Sequence, residues 1–288
     1  MRKKKKNLCK IIQRISLFFL LLLITQTQLF AQKRVKKDEL TAMREFVQVC
    51  NSYKKMPLHL KVVINRSADF PRSAEDTASS AAEFFITKKG TYVKMDELEQ
   101  LANDSLMLFI SNNAKRMVLY PNNTPVATQF DNYIGIQLRD SSLQKIATKY
   151  TVSLITPSEE NKQSQIELQS KNKIVNTTLS KETIQLKYNS DSKQILEVQQ
   201  VFRRLIPLDS AEYNTLLSQS DYADKLIATD EHGFFLINKH TTDFIYKTVE
   251  SSDNIVLPMQ LNSCITKNST GQYATAKGYE GFELTENF

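Results

Sequence analysis

What most limits the fold of this chain is a series of short apolar stretches with a period of two, cut at close intervals by small polar residues. Phe84-Phe85-Ile86 leads into Lys88-Lys89-Gly90, and Tyr92-Val93-Lys94-Met95 returns. Asn103-Asp104-Ser105 then precedes Leu106 to Ile110, and Asn112-Asn113 precedes Met117 to Tyr120. Successive side chains of a strand point to opposite faces, so this alternation reads as strands with one buried side. Asn, Asp, Ser and Gly accept turn backbone, so Ala82 to Tyr120 is predicted to be an antiparallel meander. Gly90 is expected to supply the positive φ of a tight hairpin. A second strand series is predicted at Thr151 to Thr156, Gln165 to Ser170, Ile174 to Leu179, Thr183 to Tyr188 and Ile195 to Phe202. Asn189 to Ser192 form the turn that joins the last two.

Helical periodicity appears twice around these strands. Leu40, Met43, Phe46, Val47 and Cys50 recur at three- and four-residue steps, so Asp38 to Ser52 is predicted to be a helix. Pro57 ends that pattern, and Leu58, Leu60, Val62 and Ile64 alternate as a strand. The Ser-, Ala-, Asp- and Pro-containing segment Ser67 to Ser80 reads as a loop. Asp140 to Tyr150 is predicted to be a second helix capped by Asp140, with Leu143, Ile146, Ala147 and Tyr150 on one side. Beyond Pro207, Asp209 or Ser210 is placed to cap a short helix carrying Tyr213, Leu216 and Leu217. Irregular strands are expected at Phe234 to Ile237, Phe244 to Val249, Ile255 to Leu261 and Tyr279 to Leu284. The fold class is therefore α+β.

The first 31 residues have a different character. Seven basic residues, Arg2 to Lys6, Lys10 and Arg14, precede the apolar run Ile15 to Ile24, and Leu29-Phe30-Ala31 offers a small residue for cleavage. This is the layout of a cleavable signal peptide. The polar Thr25 to Gln28 keep the apolar run short of the roughly 20 residues a spanning helix needs. The chain is thus expected to be periplasmic or secreted, with cleavage near Ala31 and at most peripheral membrane association.

Cleavage also changes the charge balance. The full chain holds 38 Lys+Arg against 31 Asp+Glu, a net charge of +7. Removing the seven basic residues of the signal leaves 31 of each sign. A balanced mature chain gives no electrostatic case for nucleic-acid binding. The 257 residues that remain of 288 can build their own core without a disulfide. Cys50 and Cys264 are a possible disulfide in an exported chain, with two buried thiols as the alternative.

Motif by motif, catalysis is not expected. His59, His232 and His240 lack the close spacing of a zinc pair, so no metal and no cofactor are expected. His59 is expected to point to solvent beside Lys61. Ser142-Leu-Gln-Lys145 and Ser252-Asp253-Asn254 match two elements of penicillin-recognising enzymes, but Ser52-Tyr-Lys-Lys55 matches the first equally and the Lys-Thr-Gly element is missing.

The order helix, strand, meander, helix, meander over Asp38 to Phe202 resembles the LolA/LolB-like family of periplasmic lipoprotein carriers. The segments closest to it are Phe84 to Lys94 and Ile184 to Ile195. The Leu-Phe-Ala-Gln cleavage context and the Asn-, Lys- and Ser-rich composition resemble those of a Bacteroidetes-type exported protein. The family resemblance implies a curved antiparallel β-sheet (half-barrel) with helices packed on its concave face. It implies a LolA-like sheet domain over 38–206, with 207–288 as a C-terminal extension packed on or continuing the sheet. It also implies a non-catalytic carrier whose partner is a lipid or acylated protein. The alternative is a structural or adaptor component that binds an envelope protein. An apolar concavity for acyl chains would then be lined by Phe46, Leu60, Phe84, Ile86, Tyr92, Leu108 and Tyr188.

Overall fold

The structure is a computed structural model that describes residues 38–52, 57–123, 143–155, 162–229 and 233–288. The export segment, Asp140, Ser142 and His232 lie outside the described residues. The described residues start with helix α1 (38–52) and strand β1 (Leu58–Ala68), then a 3-10 turn at Ala74–Thr77. The meander follows as β2 (Ser79–Thr87), β3 (Gly90–Met95), β4 (Leu98–Ala102), β5 (Leu106–Ser111) and β6 (Arg116–Pro121). Helix α2 (Leu143–Lys149) runs directly into β7 (Tyr150–Ile155), then β8 (Gln163–Ser170), β9 (Glu182–Asn189) and β10 (Ile195–Leu208). The remainder comprises α3 (Ser210–Leu217), β11 (Leu226–Thr229), β12 (Gly233–Glu250), α4 (Leu261–Cys264), β13 (Ile265–Lys267), β14 (Tyr273–Thr275) and β15 (Glu283–Glu286).

Among the described residues the main sheet has thirteen strands in the order β15-β6-β5-β4-β3-β2-β1-β12-β10-β9-β8-β7, with β11 also on β12. All its pairings are antiparallel except that of β15 with β6. It is large, curved and not closed into a barrel. Strands β1 to β6 form one half and β7 to β10 the other, and β12 is the strand that joins them. β10 crosses the boundary expected at 206, and β12, from beyond it, sits between β1 and β10.

Packing explains the curvature. Ala42, Met43, Phe46, Val49 and Cys50 of α1 share one core with residues of β1, β2, β3, β7, β8, β9 and β10. Seven spacings separate β3 from β7 in this sheet. Laid flat they would span about 34 Å at about 4.8 Å per strand, three times the roughly 10–12 Å width of a helix. Only a sheet curled around α1 brings both ends into one core. Polar contacts hold the helix there. The Tyr188 hydroxyl donates to Glu45 Oε1 at 2.8 Å, Lys193 pairs with the same carboxylate, and the backbone N–H of Val152 reaches Glu39 Oε1 at 3.4 Å. Burial and the Glu45 carboxylate both push the Tyr188 phenol above its ordinary range, which keeps it a donor.

A second core lies on the outer face. Tyr92, Leu101, Leu108, Ile110, Met117 and Leu119 pack against Cys264, Ile265 and the flanking Leu257, Met259, Tyr279 and Phe282. Register assigns the faces. Leu60, Phe84, Val93, Gln100, Phe109 and Val118 pair successively across β1 to β6 and form an inner row. His59, Phe85, Tyr92, Leu101, Leu108 and Leu119 form the adjacent outer row.

Several expectations are corrected. Ile174 to Leu179 is a turn closed by the Lys173–Ser180 bridge, with Asn176 at φ 60. The two strands expected at Phe234–Ile237 and Phe244–Val249 are one. The polar run between them stays extended because both sides of β12 are paired there, His240 with Phe202 and with Ala68. Ile255 to Leu261 is not a strand, since Pro258 cannot donate to a ladder. Cys50 and Cys264 are buried thiols in different cores, with the sheet between them.

His59 does not point to solvent. Its ring stacks on Phe85 at 4.2 Å, with Nε2 at 2.8 Å from Glu83 and Nδ1 at 3.5 Å from Glu250. It thereby ties β2 to the end of β12. Burial alone would raise the Glu83 carboxyl, but His59 and Lys61, whose Nζ lies 3.1 Å away, hold it below its ordinary value. A carboxyl lowered in the folded state adds stability above its unfolded value and loses it as pH falls through the folded value. Glu83→Gln is therefore expected to flatten the stability curve between about pH 5 and 3. Urea midpoints across that range test this, and parallel curves for the two proteins would refute it.

Candidate functional site

Five of the residues expected to line a concavity, Phe46, Leu60, Phe84, Ile86 and Tyr188, come together in the inner core, each 5% exposed or less. Tyr92 and Leu108 lie on the opposite face, in the outer core. The split follows from hairpin register. With a two-residue Lys88-Lys89 loop, Thr87 pairs with Gly90, so Phe84 faces Val93 and Tyr92 faces Phe85. That loop length was visible in the sequence and assigns Phe84 and Tyr92 to different sides.

The open apolar space lies elsewhere. At the end of the sheet where the β2–β3 hairpin turns and β4 stops, the segment 253–273 arches over the strand ends. The groove between them has a volume of about 810 Å³, within the range of about 300–1,000 Å³ usual for small-molecule sites. Leu101 and Leu106 contribute from the sheet; Val256, Leu257, Leu261 and Ile265 contribute from the arch. Val256 is 74% exposed, a large apolar side chain held at the lip.

The arch is fixed in place by polar contacts. The Tyr279 hydroxyl donates to Met259 Sδ at 3.3 Å, and the Cys264 thiol reaches Gln260 O at 3.6 Å and Tyr279 at 3.8 Å. Burial pushes that thiol above its ordinary range, which disfavours the thiolate at neutral pH. Behind the wall, buried Glu99 accepts from the Tyr92 hydroxyl at 3.1 Å and from Asn112 Nδ2 at 2.9 Å. Ser252-Asp253-Asn254 forms a local turn, with Asn254 N donating to Ser252 Oγ at 3.3 Å. Ser52 Oγ is bonded to Val49 O at 2.7 Å. Among the described residues, neither serine hydroxyl bonds to a basic side chain.

Two features of this end of the sheet are chemically informative. The groove lining holds three lysines, Lys88, Lys89 and Lys267, against one acid, Asp253. The strand beneath it also carries Thr91, whose side chain shares the inner face with its partner Ile86; it is 1% exposed, and its Oγ1 has no hydrogen-bond partner among the described residues. A buried hydroxyl left without a partner costs about 1–3 kcal/mol. Thr91→Val is therefore expected to raise the unfolding free energy by about 1–2 kcal/mol in ligand-free protein. Chemical denaturation followed by circular dichroism measures it; a loss of stability would mean that the hydroxyl is satisfied.

Among the described residues no group of His, Cys, Asp and Glu is placed to hold a metal ion, and no helix is long and apolar enough to cross a membrane. No family model and no curated protein matches this chain. Solved structures do match it. A LolA superfamily protein from Nitrosomonas europaea is 9% identical, covering 77% of this chain and 95% of that one at a TM-score of 0.24. A DUF1329 family protein from Desulfovibrio piger is 7% identical over 76% and 95%, with a TM-score of 0.29. A putative outer membrane lipoprotein-sorting protein domain from Vibrio parahaemolyticus is 6% identical over 77% and 95%, with a TM-score of 0.27. Two of these names match the family suggested by the element order.

Sequence reasoning missed Val256, Leu257 and Leu261 as groove residues by assigning them to a strand. Pro258 and the Ser251–Asn254 cluster were the signals that argued against a ladder there.

Proposed function

We propose that this chain is a non-catalytic exported protein that binds an acyl chain, and that it does so in the groove under the 253–273 arch. The observation that supports this is the groove itself, with apolar walls from sheet and arch and an exposed valine at its lip. Each methylene removed from water contributes about 0.8 kcal/mol, so a chain with ten buried methylenes gains about 8 kcal/mol before ordering costs are subtracted. Such a site needs no catalytic group. The carrier role expected from the sequence is kept, but its site moves from the inner face, which α1 fills, to the outer side of the sheet.

Purifying the mature protein from its native envelope and identifying copurifying lipids by mass spectrometry tests the reading. Bound acyl species are expected, and Val256→Asp is expected to reduce their recovery about tenfold or more, because a charge at the lip must be desolvated when a chain enters. Because Val256 is exposed, the variant should keep its circular dichroism spectrum and urea midpoint. Protein that copurifies with no lipid, and binds none when it is supplied, would leave an adaptor role for a protein partner as the better account.

A further inference from the structure

We propose that Met259 is an oxidation site, and that conversion of its thioether to the sulfoxide by a peroxide lowers the affinity of the groove for an acyl chain. This rests on the acyl-binding reading above and adds its control. Met259 belongs to the arch and lines the groove. It is partly exposed, and its Sδ accepts a hydrogen bond from the Tyr279 hydroxyl at 3.3 Å. Tyr279 in turn accepts from the Cys264 thiol at 3.8 Å, and its ring packs edge-on against Phe282 at 5.1 Å. The Met259 sulfur thus ends a short polar chain that runs from the outer core to the groove wall. The exported location proposed above puts this sulfur outside the reducing cytoplasm.

Position separates this methionine from the others. Among the described residues the methionines are Met43, Met95, Met107, Met117 and Met259. Met43 and Met117 are 5% and 0% exposed, and register puts Met95 and Met107 on the inner face. Of these five, Met259 lines the groove. The neighbouring Cys264 is 0% exposed, and burial disfavours its thiolate. In the reaction a lone pair of Met259 Sδ attacks one oxygen of hydrogen peroxide. The S–O bond forms as the O–O bond breaks, and the sulfur gives up two electrons. The departing hydroxide takes the proton of the transferred oxygen and leaves as water. The product replaces an apolar thioether, a weak acceptor, with a polar S–O group. At 3.3 Å the Tyr279 hydroxyl leaves no room for an oxygen between itself and the sulfur, so the oxygen adds on a side the phenol does not satisfy. An acyl chain packed there would strip water from an acceptor it cannot bond.

Equilibrium dialysis of the mature protein against radiolabelled palmitate below its micelle concentration, before and after mild hydrogen peroxide, tests both levels. Peptide mass spectrometry maps the oxidised methionines. Met259 is expected to oxidise ahead of Met43 and Met117, and palmitate affinity to fall about tenfold. Treatment with methionine sulfoxide reductases should restore it. Met259→Leu should keep after peroxide whatever affinity it has before, whereas Met107→Leu should lose affinity as the wild type does. Oxidised Met259 with unchanged affinity overturns this proposal and leaves the acyl groove standing. So does a map in which Met259 stays reduced while Met95 and Met107 are oxidised, or an equal loss of affinity in Met259→Leu. If the untreated protein binds no palmitate, the acyl-binding reading falls and its control falls with it.

Discussion

Phe46→Ala is expected to lower the unfolding free energy by about 3–5 kcal/mol, enough to leave a domain of ordinary stability marginal. Phe46 is 2% exposed and lies at the centre of α1, where the two halves of the sheet converge on one helix. The loss combines transfer of the ring to water with a cavity that the curled sheet cannot close, because collapse would have to draw together strands already paired on both sides. Urea denaturation followed by far-ultraviolet circular dichroism gives the number directly, which is convenient in a chain without tryptophan. The folded fraction should keep its affinity for acyl chains, since the groove belongs to the other core. A loss below about 1 kcal/mol would mean that α1 does not organise the inner face.

Gly90→Val is expected to cost about 3 kcal/mol or more and to disturb the groove as well. A Cβ at Gly90 would lie 2.5 Å from the backbone oxygen of Ala102 and 3.3 Å from Leu257 Cδ1. The first neighbour belongs to the β3–β4 ladder and cannot turn away; the second belongs to the arch. Glycine is required here for close approach rather than for a positive φ, which is found instead at Gly233, Gly271 and Gly278. The expected result is a lowered urea midpoint together with weaker acyl binding, a pairing that Phe46→Ala should not show. Wild-type behaviour in both measurements would refute the assigned contact between Gly90 and the arch.

The local part of the fold was legible in the sequence. Turns assigned by composition are closed by the side chains that suggested them. Asn103 Oδ1 accepts from the N–H of Ser105 at 2.9 Å and of Leu106 at 2.8 Å, and Asn189 Oδ1 accepts from Asp191 and Ser192, both at 3.0 Å. Asp209 caps α3 in a reciprocal pair with Glu212. Non-local information was missing. Nothing in Gly233 to Glu250 announces a strand flanked by β1 and β10, because its middle is polar and its neighbours lie far along the chain. The same holds for the groove. Leu257 and Leu101 are ordinary apolar residues on their own, and only tertiary placement puts open space between them. Thr91 carried no signal at all, since an orphaned hydroxyl is a property of its surroundings.

The position of β12 has a consequence in time. A chain that emerges amino end first can pair β1 through β6, and later β7 through β10, but these hairpin sets stay unjoined until residue 250 is available. α1 has its full binding surface only then, because that surface is divided between the two sets. Closure therefore waits on contacts of long sequence separation, which are slow to form. The result is a polypeptide that remains open and threadable for almost its whole length, then locks around its first helix with a strand made near its end.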